Sequence, residues 1–137
     1  MRTDGIKKIL LIDDDASIRR MYTDYLANDG FVVTAVPSAI EGLDILSKGE
    51  EFDLVITDIM MAKMDGWEFL HAIRNDLGFK PTRLPVIVIS AFESATIEAK
   101  ALSCGANASY IKGGQPLSRL LREARIQTGR ERSRFDD

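Results

Sequence analysis

The stretch ILLIDDD (residues 9–15) joins a short apolar run directly to three aspartates. Neighbouring carboxylates repel, since two unit charges about 4 Å apart cost roughly 4 kcal/mol at an effective dielectric constant of about 20. A chain accepts that cost at the end of a buried strand mainly where a cation binds, and clustered oxygen ligands suit Mg²⁺ or Ca²⁺. Aspartate is also a good helix N-cap, so the stretch alone fits a solvated capping turn equally well.

Similar apolar runs recur along the chain and alternate with helical patterns. The predicted strands cover residues 9–12, 31–36, 54–56, 86–89 and 108–111. Three of these runs are unbroken, which is typical of parallel strands that are buried on both faces. Five strand–helix units predict an α/β fold with a doubly wound parallel sheet and helices on both of its faces.

The helices are predicted from apolar residues that recur at helical spacing. Ser38, followed three residues later by Glu41, is a capping box that opens the second helix. We expect Ile40, Leu43 and Leu46 of that helix to face the core. The apolar positions of the other four helices are Ile18, Met21, Tyr22, Tyr25 and Leu26, then Leu70, Ile73 and Leu77, then Ile97, Ala101 and Leu102, and finally Leu117, Leu120, Leu121 and Ala124.

The composition is that of one globular domain. The chain has 137 residues, 45% of them hydrophobic and 28% charged, so it is long enough to bury a core. Its net charge of −3 argues against direct binding to nucleic acid. The single cysteine, Cys104, excludes an internal disulfide. Because the run at 9–12 is too short for a signal peptide or a membrane span, we predict a cytoplasmic protein without membrane insertion.

Ligands of such sheets bind beyond the carboxyl ends of the strands, where chemically useful residues should meet. The polar residues that follow the predicted strands are Asp13, Asp14 and Asp15, then Asp58, then Ser90, and finally Lys112. Two or three carboxylates can hold Mg²⁺ while water fills its other positions. A carboxylate beside the metal can attack phosphorus, and Lys112 with the Ser90 hydroxyl can stabilise the transferring oxygens. Taken singly, Lys112 also fits a surface lysine and Ser90 a helix N-cap.

Four segments make the chain resemble the receiver domains of two-component response regulators. They are ILLIDDDASIRR (9–20), DLVITDIMMAKMDGWEF (53–69), PVIVISA (85–91) and CGANASYIK (104–112). The second segment is the most specific, because it pairs a strand-end aspartate with a Met-Asp-Gly turn. The resemblance implies a flavodoxin-like five-stranded sheet with the strand order 2-1-3-4-5. We accordingly expect a receiver domain over residues 1–127, followed by a polar tail or linker start at 128–137.

The resemblance also implies how the acidic residues act. Asp58 would accept a phosphoryl group from a phosphohistidine on a sensor histidine kinase or a histidine phosphotransfer protein. Asp14 and Asp58 would bind Mg²⁺ directly, together with the backbone carbonyl of Met60, and Asp13 would bind it through water. The protein would then be a conformational switch and not an enzyme, apart from catalysing its own phosphorylation and dephosphorylation. The downstream effector is not named by the sequence.

Two further residues receive roles in the same way, and three positions depart from the family pattern. Ser90 would be the switching hydroxyl, and Lys112 would pair with the phosphoryl oxygens. Ala62 and Gly113 stand where the family usually has proline, and the second of these prolines commonly follows a cis peptide bond. The aromatic switch position is Ser109, while the neighbouring tyrosine is out of step by one residue. Every reacting group is present, but the aromatic residue of the usual relay is missing.

Two other functions fit part of the sequence. The segment from Asp13 to Ser17 matches the Asp-x-Asp-x-Ser/Thr signature of haloacid-dehalogenase-like phosphatases. Asp13 would then be the nucleophile and Asp15 the general acid/base, but Asp58 and its Met-Asp-Gly turn would have no role. A receiver-like interaction module that no longer uses phosphate is the second alternative. We do not expect a DNA-binding domain within this sequence, because too few residues follow Lys112 for a helix-turn-helix or winged-helix domain. The chain is then either a stand-alone receiver or a piece of a longer regulator or hybrid kinase.

Overall fold

The computed structural model describes residues 5–91 and 94–132, in which strands and helices alternate along the chain. The strands are β1 (Lys8–Ile12), β2 (Val32–Val36), β3 (Leu54–Asp58), β4 (Val86–Ser90) and β5 (Ala108–Ile111). The helices are α1 (Ala16–Ala27), α2 (Ala39–Ser47), α3 (Gly66–His71), α4 (Ala95–Ser103) and α5 (Leu117–Gln127), and a π-helical turn over Ala72–Asp76 continues α3. No helix in these residues is both long and apolar enough to cross a membrane.

The strands form one parallel sheet in the order β2-β1-β3-β4-β5. This order and the doubly wound, flavodoxin-like α/β class confirm the predicted fold. Every residue of β3 and β4 is buried, because helices cover both faces of the sheet. Each strand begins and ends within two residues of its predicted bounds, and the two extensions at β3 and β4 place Asp58 and Ser90 at the last positions of their strands.

An apolar cluster lies on each face of the sheet. On one face α2, α3 and α4 cover the side chains of Leu10, Val55 and Val88. On the other face α1 and α5 cover neighbouring positions of the same strands, such as Leu11 and Ile56. This alternation follows from the two-residue period of a strand. Full burial of such a side chain stabilises the fold by roughly 1.5 to 3 kcal/mol, so the two clusters together position the strand ends.

Three apolar residues that were predicted on the buried faces of their helices are exposed instead. The exposed fractions are 44% for Met21 of α1, 51% for Ile40 of α2 and 53% for Leu102 of α4. In α2 it is Gly42 that faces the sheet, since an added Cβ there would lie 3.1 Å from the Phe69 ring and 3.2 Å from Ile12. Because each helical residue is rotated by about 100° from the last, this contact turns Ile40 toward solvent. The predictions for these three residues were wrong.

Several helices begin at the capping residues that the sequence contains. The Ser38 hydroxyl accepts the backbone N–H of Glu41 at 3.2 Å, which is one of the two hydrogen bonds of the capping box predicted there. Both bonds of such a box form at α3, where the Asp65 carboxylate accepts the N–H of Glu68 at 2.9 Å and the Glu68 carboxylate accepts the N–H of Asp65 at 3.0 Å. Asp15 caps α1, because its carboxylate accepts two backbone N–H groups of the first turn. The capping alternative for the opening aspartates therefore holds for the third of them.

Arg74, in the π-helical turn, joins the segments that surround the amino-terminal end of β4. Its guanidinium donates to the carbonyl oxygens of Leu84 at 2.8 Å, Gly105 at 2.9 Å and Phe79 at 3.1 Å. It also donates to the side-chain oxygen of Asn107 at 3.1 Å. Burial lowers the pKa of Arg74 to about 10, so the side chain stays charged. Backbone carbonyl oxygens, which are strong acceptors, accept three of these four hydrogen bonds from the half-buried guanidinium.

We expect Arg74→Met to lower the free energy of unfolding by about 2 to 3 kcal/mol, because three backbone carbonyls lose the hydrogen bonds from Arg74 and the Asn107 side chain loses one of its two donors. Urea denaturation followed by circular dichroism measures the change. Arg83→Met is the matched control, since Arg83 is exposed and its loss should change stability by less than about 0.5 kcal/mol. Equal stabilities of the two variants would show that the Arg74 contacts contribute little.

Candidate functional site

The carboxyl ends of β1, β3 and β5 bring three charged side chains into direct contact. Lys112 Nζ lies 2.9 Å from an oxygen of Asp58 and 3.1 Å from an oxygen of Asp13. These partners are 54 and 99 residues away from the lysine in sequence. They meet because all the strands of a parallel sheet end at the same edge. The sheet therefore brings together residues that the sequence analysis selected only for their places after the strands.

Asp14 completes a group of three carboxylates. Oxygen atoms of Asp13, Asp14 and Asp58 all lie within 4.8 Å of one another. Asp13 and Asp58 are buried, whereas Asp14 is exposed, so water reaches the group from its side. Hard oxygen ligands at this spacing fit Mg²⁺, which is usually bound by one or two carboxylates and several waters. The donor set thus suits the predicted metal.

The electrostatics of the site follow from the burial of its side chains and from the single ammonium of Lys112 that Asp13 and Asp58 share. Burial raises the pKa of Asp13, the backbone N–H of Asp15 opposes that rise, and the charge of Asp58 adds to it. Burial also acts to lower the pKa of Lys112, but its hydrogen bonds to Asp58 and Asp13 outweigh that effect and raise the pKa above its usual range. Lys112 is therefore protonated at neutral pH. One ammonium shared by buried acids leaves the site short of positive charge.

The loop after β3 holds Asp58 from the other side. The backbone N–H of Met60 donates to the second oxygen of Asp58 at 3.3 Å, and the Met60 side chain is 67% exposed. Gly66 closes the loop by donating its N–H to the carbonyl of Ile59 at 2.8 Å. A Cβ at Gly66 would lie 2.4 Å from the Asp58 carbonyl oxygen, so only glycine fits there. This close approach explains the glycine of the Met-Asp-Gly turn.

Ser90 ends β4 beside the acidic group. The strands pair so that Ile89 lies opposite Asp58, and Ser90 is therefore one residue further toward the open edge of the sheet. Ser90 is buried, and its carbonyl accepts the backbone N–H of Lys112 at 2.7 Å. A cavity of about 190 Å³ adjoins Ser90, between α4 and β5. This hydrogen bond holds the backbone of Lys112, directly after β5, against the backbone of Ser90.

Ser109 stands in that cavity at the position where the family pattern has an aromatic residue, and Tyr110 lines the cavity beside it. Ser109 lines the cavity and is half-buried. The Tyr110 ring instead packs edge-on against Tyr22 of α1, with ring centroids 6.4 Å apart and planes at 84°. Since consecutive strand residues point to opposite faces of a sheet, the tyrosine cannot fill the position of its neighbour. The prediction that Tyr110 is out of step by one residue is confirmed.

The loop after β5 contains a residue that sequence analysis missed. The Gln115 side-chain oxygen accepts the backbone N–H of Ile111 at 2.8 Å, and the Gln115 carbonyl accepts the Tyr110 hydroxyl at 2.8 Å. A glutamine after two glycines is typical of any polar turn, so its spacing carried no signal of this role. The nearest signal was the pair of glycines itself, which indicates a turn directly after Lys112.

Comparisons by sequence agree with this geometry. A family model described as the response regulator receiver domain matches residues 9–123. The transcriptional regulatory protein HprR of Escherichia coli is 34% identical over 120 residues, which are 88% of this chain and 51% of that protein. The transcriptional regulatory protein YcbL of Bacillus subtilis, whose function is uncharacterised, is 33% identical over 124 residues, or 90% of this chain and 51% of that protein. The chain spans about half the length of the curated relatives it matches.

Solved structures share the fold. The receiver domain of the Francisella response regulator 1452 superposes with a TM-score of 0.81 over 90% of this chain and 98% of that one. Its sequence identity is 23%, so this likeness concerns the fold alone. The chemotaxis protein CheY4 of Vibrio cholerae is 27% identical, with a TM-score of 0.77 over 89% of this chain and 99% of that one.

We expect Asp13→Asn to stabilise the fold by about 1 kcal/mol near neutral pH, because the amide avoids the penalty of a buried charge. The gain should be fully present above the raised pKa of Asp13. It should disappear as the pH falls toward the ordinary carboxyl value, where the wild-type side chain is neutral as well. Urea denaturation at a series of pH values, without added divalent cations, measures this.

The matched control is Asp14→Asn, because Asp14 is exposed and its neutralisation should change stability by less than about 0.5 kcal/mol. A loss of stability in Asp13→Asn at neutral pH would contradict the prediction. It would mean that the ion pair with Lys112 stabilises Asp13 by more than burial destabilises it.

Proposed function

Because this chain belongs to the response regulator receiver domain family, we propose that it is switched by phosphorylation of Asp58. As the receiver domain of a two-component response regulator, it is a signalling domain. One observation supports Asp58 as the phosphoacceptor: Lys112 contacts both Asp58 and Asp13 at the strand ends, with Asp14 alongside. The phosphoryl donor is a phosphohistidine on a sensor histidine kinase or a histidine phosphotransfer protein. Catalysis is limited to the domain's own phosphorylation and dephosphorylation.

We propose that the three carboxylates of Asp13, Asp14 and Asp58 hold Mg²⁺. Asp14 and Asp58 bind the ion directly, together with the backbone carbonyl of Met60, and Asp13 binds it through water. The chemistry that Mg²⁺ supplies when bound is neutralisation of the negative charge on the carboxylates and on the phosphoryl oxygens. The exposed position of Asp14 supports this assignment, because Mg²⁺ keeps several waters in sites of this kind.

Asp58 acts as the nucleophile. One carboxylate oxygen forms a bond to phosphorus while the bond from phosphorus to the donor's histidine nitrogen breaks, and that nitrogen keeps the electron pair. Lys112 is in contact with Asp58 before the reaction and can donate to a phosphoryl oxygen as charge develops there. Its second bond, to Asp13, keeps the ammonium beside the reacting group while the first bond is exchanged.

Ser90 is proposed as the hydroxyl that senses the phosphoryl group. It lies at the edge of the site and would move toward the new oxygens. The loop after β4, of which residues 92–93 lie outside the described part of the chain, would follow. Such a switch requires two packings that differ by only a few kcal/mol, so that new contacts invert their populations. The face formed by α4, β5 and α5 is the proposed readout surface. Ser109 lines the cavity in this face, so the proposed readout does not use an aromatic side chain at position 109.

The alternatives fit the structure less well. The phosphatase alternative requires Asp15 as a general acid/base, but its carboxylate caps α1 and accepts two backbone N–H groups. Titration with beryllofluoride and Mg²⁺, followed by nuclear magnetic resonance, tests the phosphate-independent alternative. We expect shifts at Asp58 and Ser90. No shift at saturating ligand would favour an interaction module that does not use phosphate.

The extent and surroundings of the domain belong to the proposal as well. We place the receiver domain at residues 1–127 and a tail or linker start at 128–137, of which residues 133–137 lie outside the described part of the chain. Thr128 still packs on α5, since its hydroxyl donates to the Ala124 carbonyl at 2.8 Å. We propose that the domain acts in the cytoplasm on a protein effector, without direct contact with nucleic acid.

Asp58→Ala should abolish phosphorylation, because no other residue is proposed to form the bond to phosphorus. Incubation with acetyl phosphate and Mg²⁺ followed by intact-mass spectrometry measures the added phosphoryl group, and peptide mapping locates it. Asp76→Ala, at an exposed aspartate that ends the π-helical turn, is the control and should be labelled like the wild type. Labelling of Asp13 in place of Asp58 would support the phosphatase alternative.

Asp14→Ala should weaken Mg²⁺ binding at least about tenfold while leaving the fold intact, since a directly bound carboxylate is lost from an exposed position. Isothermal titration calorimetry measures the affinity, and circular dichroism checks the fold. Asp76→Ala again serves as the control for removal of a surface carboxylate. Unchanged Mg²⁺ affinity would remove Asp14 from the set of direct ligands.

A further inference from the structure

The loop that carries Lys112 has a backbone that only glycine adopts easily. Gly113 has a φ of +77°, in the left-handed region, which the proline ring cannot reach because it holds φ near −65°. At Gly114 an added Cβ would lie 2.7 Å from the Ile111 side chain. Two consecutive glycines make a backbone flexible. The stiffness that keeps Lys112 between two carboxylates must therefore come from elsewhere.

Hydrogen bonds from Tyr110 and Gln115 supply that stiffness. The Gln115 side-chain oxygen accepts the N–H of Ile111 at 2.8 Å, and the Gln115 N–H donates back to the Ile111 carbonyl at 3.1 Å. The Tyr110 hydroxyl donates to the Gln115 carbonyl at 2.8 Å. These bonds join the residues before the two glycines to the residue after them. We call Tyr110 and Gln115 the clasp.

The clasp is itself fixed to the core. The Tyr110 side chain is buried and packs edge-on against Tyr22, which is buried in α1. On the other side of the loop, the N–H of Lys112 donates to the Ser90 carbonyl at 2.7 Å. The backbone of Lys112 is thus held by β4 on one side and by the clasp on the other. Its ammonium meets Asp13 and Asp58 from this fixed base.

We propose that Tyr110 and Gln115 are positioning residues for Lys112 in phosphoryl transfer. Lysine has a long, flexible side chain, so the place of its ammonium depends on a fixed backbone. Misplacement of a reacting group by about 1 Å can lower a rate by up to about 100-fold. The proposal rests on the proposed function, because it assigns the clasp to the same reaction. The opposing view is that the clasp only stabilises the fold.

The test compares Gln115→Met with the wild type. Methionine keeps the length of the side chain and removes the amide oxygen that accepts the Ile111 N–H. We expect the rate of phosphorylation by acetyl phosphate at saturating Mg²⁺ to fall about tenfold. The Mg²⁺ affinity should not change, because none of the carboxylates is altered. Gln127→Met is the matched control, because Gln127 lies in the last turn of α5 and its side chain makes a long hydrogen bond of 3.4 Å to Glu123.

Tyr110→Phe provides the second variant. It removes the hydroxyl bond to Gln115 and retains the ring that packs on Tyr22. The rate should fall in the same direction as in Gln115→Met, and this variant decides the matter if Gln115→Met does not fold. Wild-type rates in both variants would overturn the proposal.

A double-mutant comparison separates positioning from general stabilisation. In a Lys112→Ala background, Gln115→Met should cause no further loss of rate, because the group that the clasp positions is absent. The same fold loss in both backgrounds would show that Gln115 acts independently of Lys112, and would overturn the proposal.

A measurement that uses no phosphoryl donor tests the clasp separately from the proposed phosphorylation of Asp58. Amide hydrogen exchange of Lys112 in the free protein should be at least about tenfold faster in Gln115→Met than in Gln127→Met, since the loop opens more often. If the wild type were not labelled on Asp58, the proposed function would fail on its own. Unchanged exchange at Lys112 would overturn the clasp whether or not Asp58 is labelled.

Discussion

Two buried carboxylates that share one ammonium are the constraint on which the rest of this structure depends. Asp13 and Asp58 both contact Lys112, and a third carboxylate, Asp14, lies beside them. Buried charges are destabilising unless they are paired with good geometry. The strand order meets this requirement, because β1 and β3 are neighbours at the centre of the sheet and the loop after β5 reaches back to them. The helices and apolar clusters keep these strand ends in register.

This arrangement trades stability for function. Burial raises the pKa of Asp13, which means that the ionised side chain lowers the stability of the fold. Three acids around one lysine give the site an excess of negative charge, and the exposed Asp14 leaves one side of the group open to solvent. Sites that keep unbalanced charge in this way are commonly less stable than neutralised variants. In the proposed function, the same imbalance would favour a bound cation, and a phosphoryl group would rearrange the local contacts.

Two departures from the family pattern alter how the site is supported. The double-glycine loop after Lys112 has a left-handed residue at Gly113, and hydrogen bonds from Tyr110 and Gln115 hold its backbone. The ring of the same tyrosine packs edge-on against Tyr22 of α1. A cavity remains between α4 and β5 beside Ser109. The face that we propose to sense phosphorylation therefore has space to rearrange.

The sequence by itself determined the fold class, the strand order through its resemblance, the bounds of the strands, and the residues at the strand ends, because these depend on local periodicity and on residue type. The convergence of Asp13, Asp58 and Lys112 followed once the strands were taken as parallel. Only the tertiary structure decided that Ile40 is exposed, that Arg74 bridges three segments and that Gln115 holds the lysine loop. Helical periodicity locates a buried face only to within about one position, and hydrogen bonds between distant segments depend on how those faces finally pack.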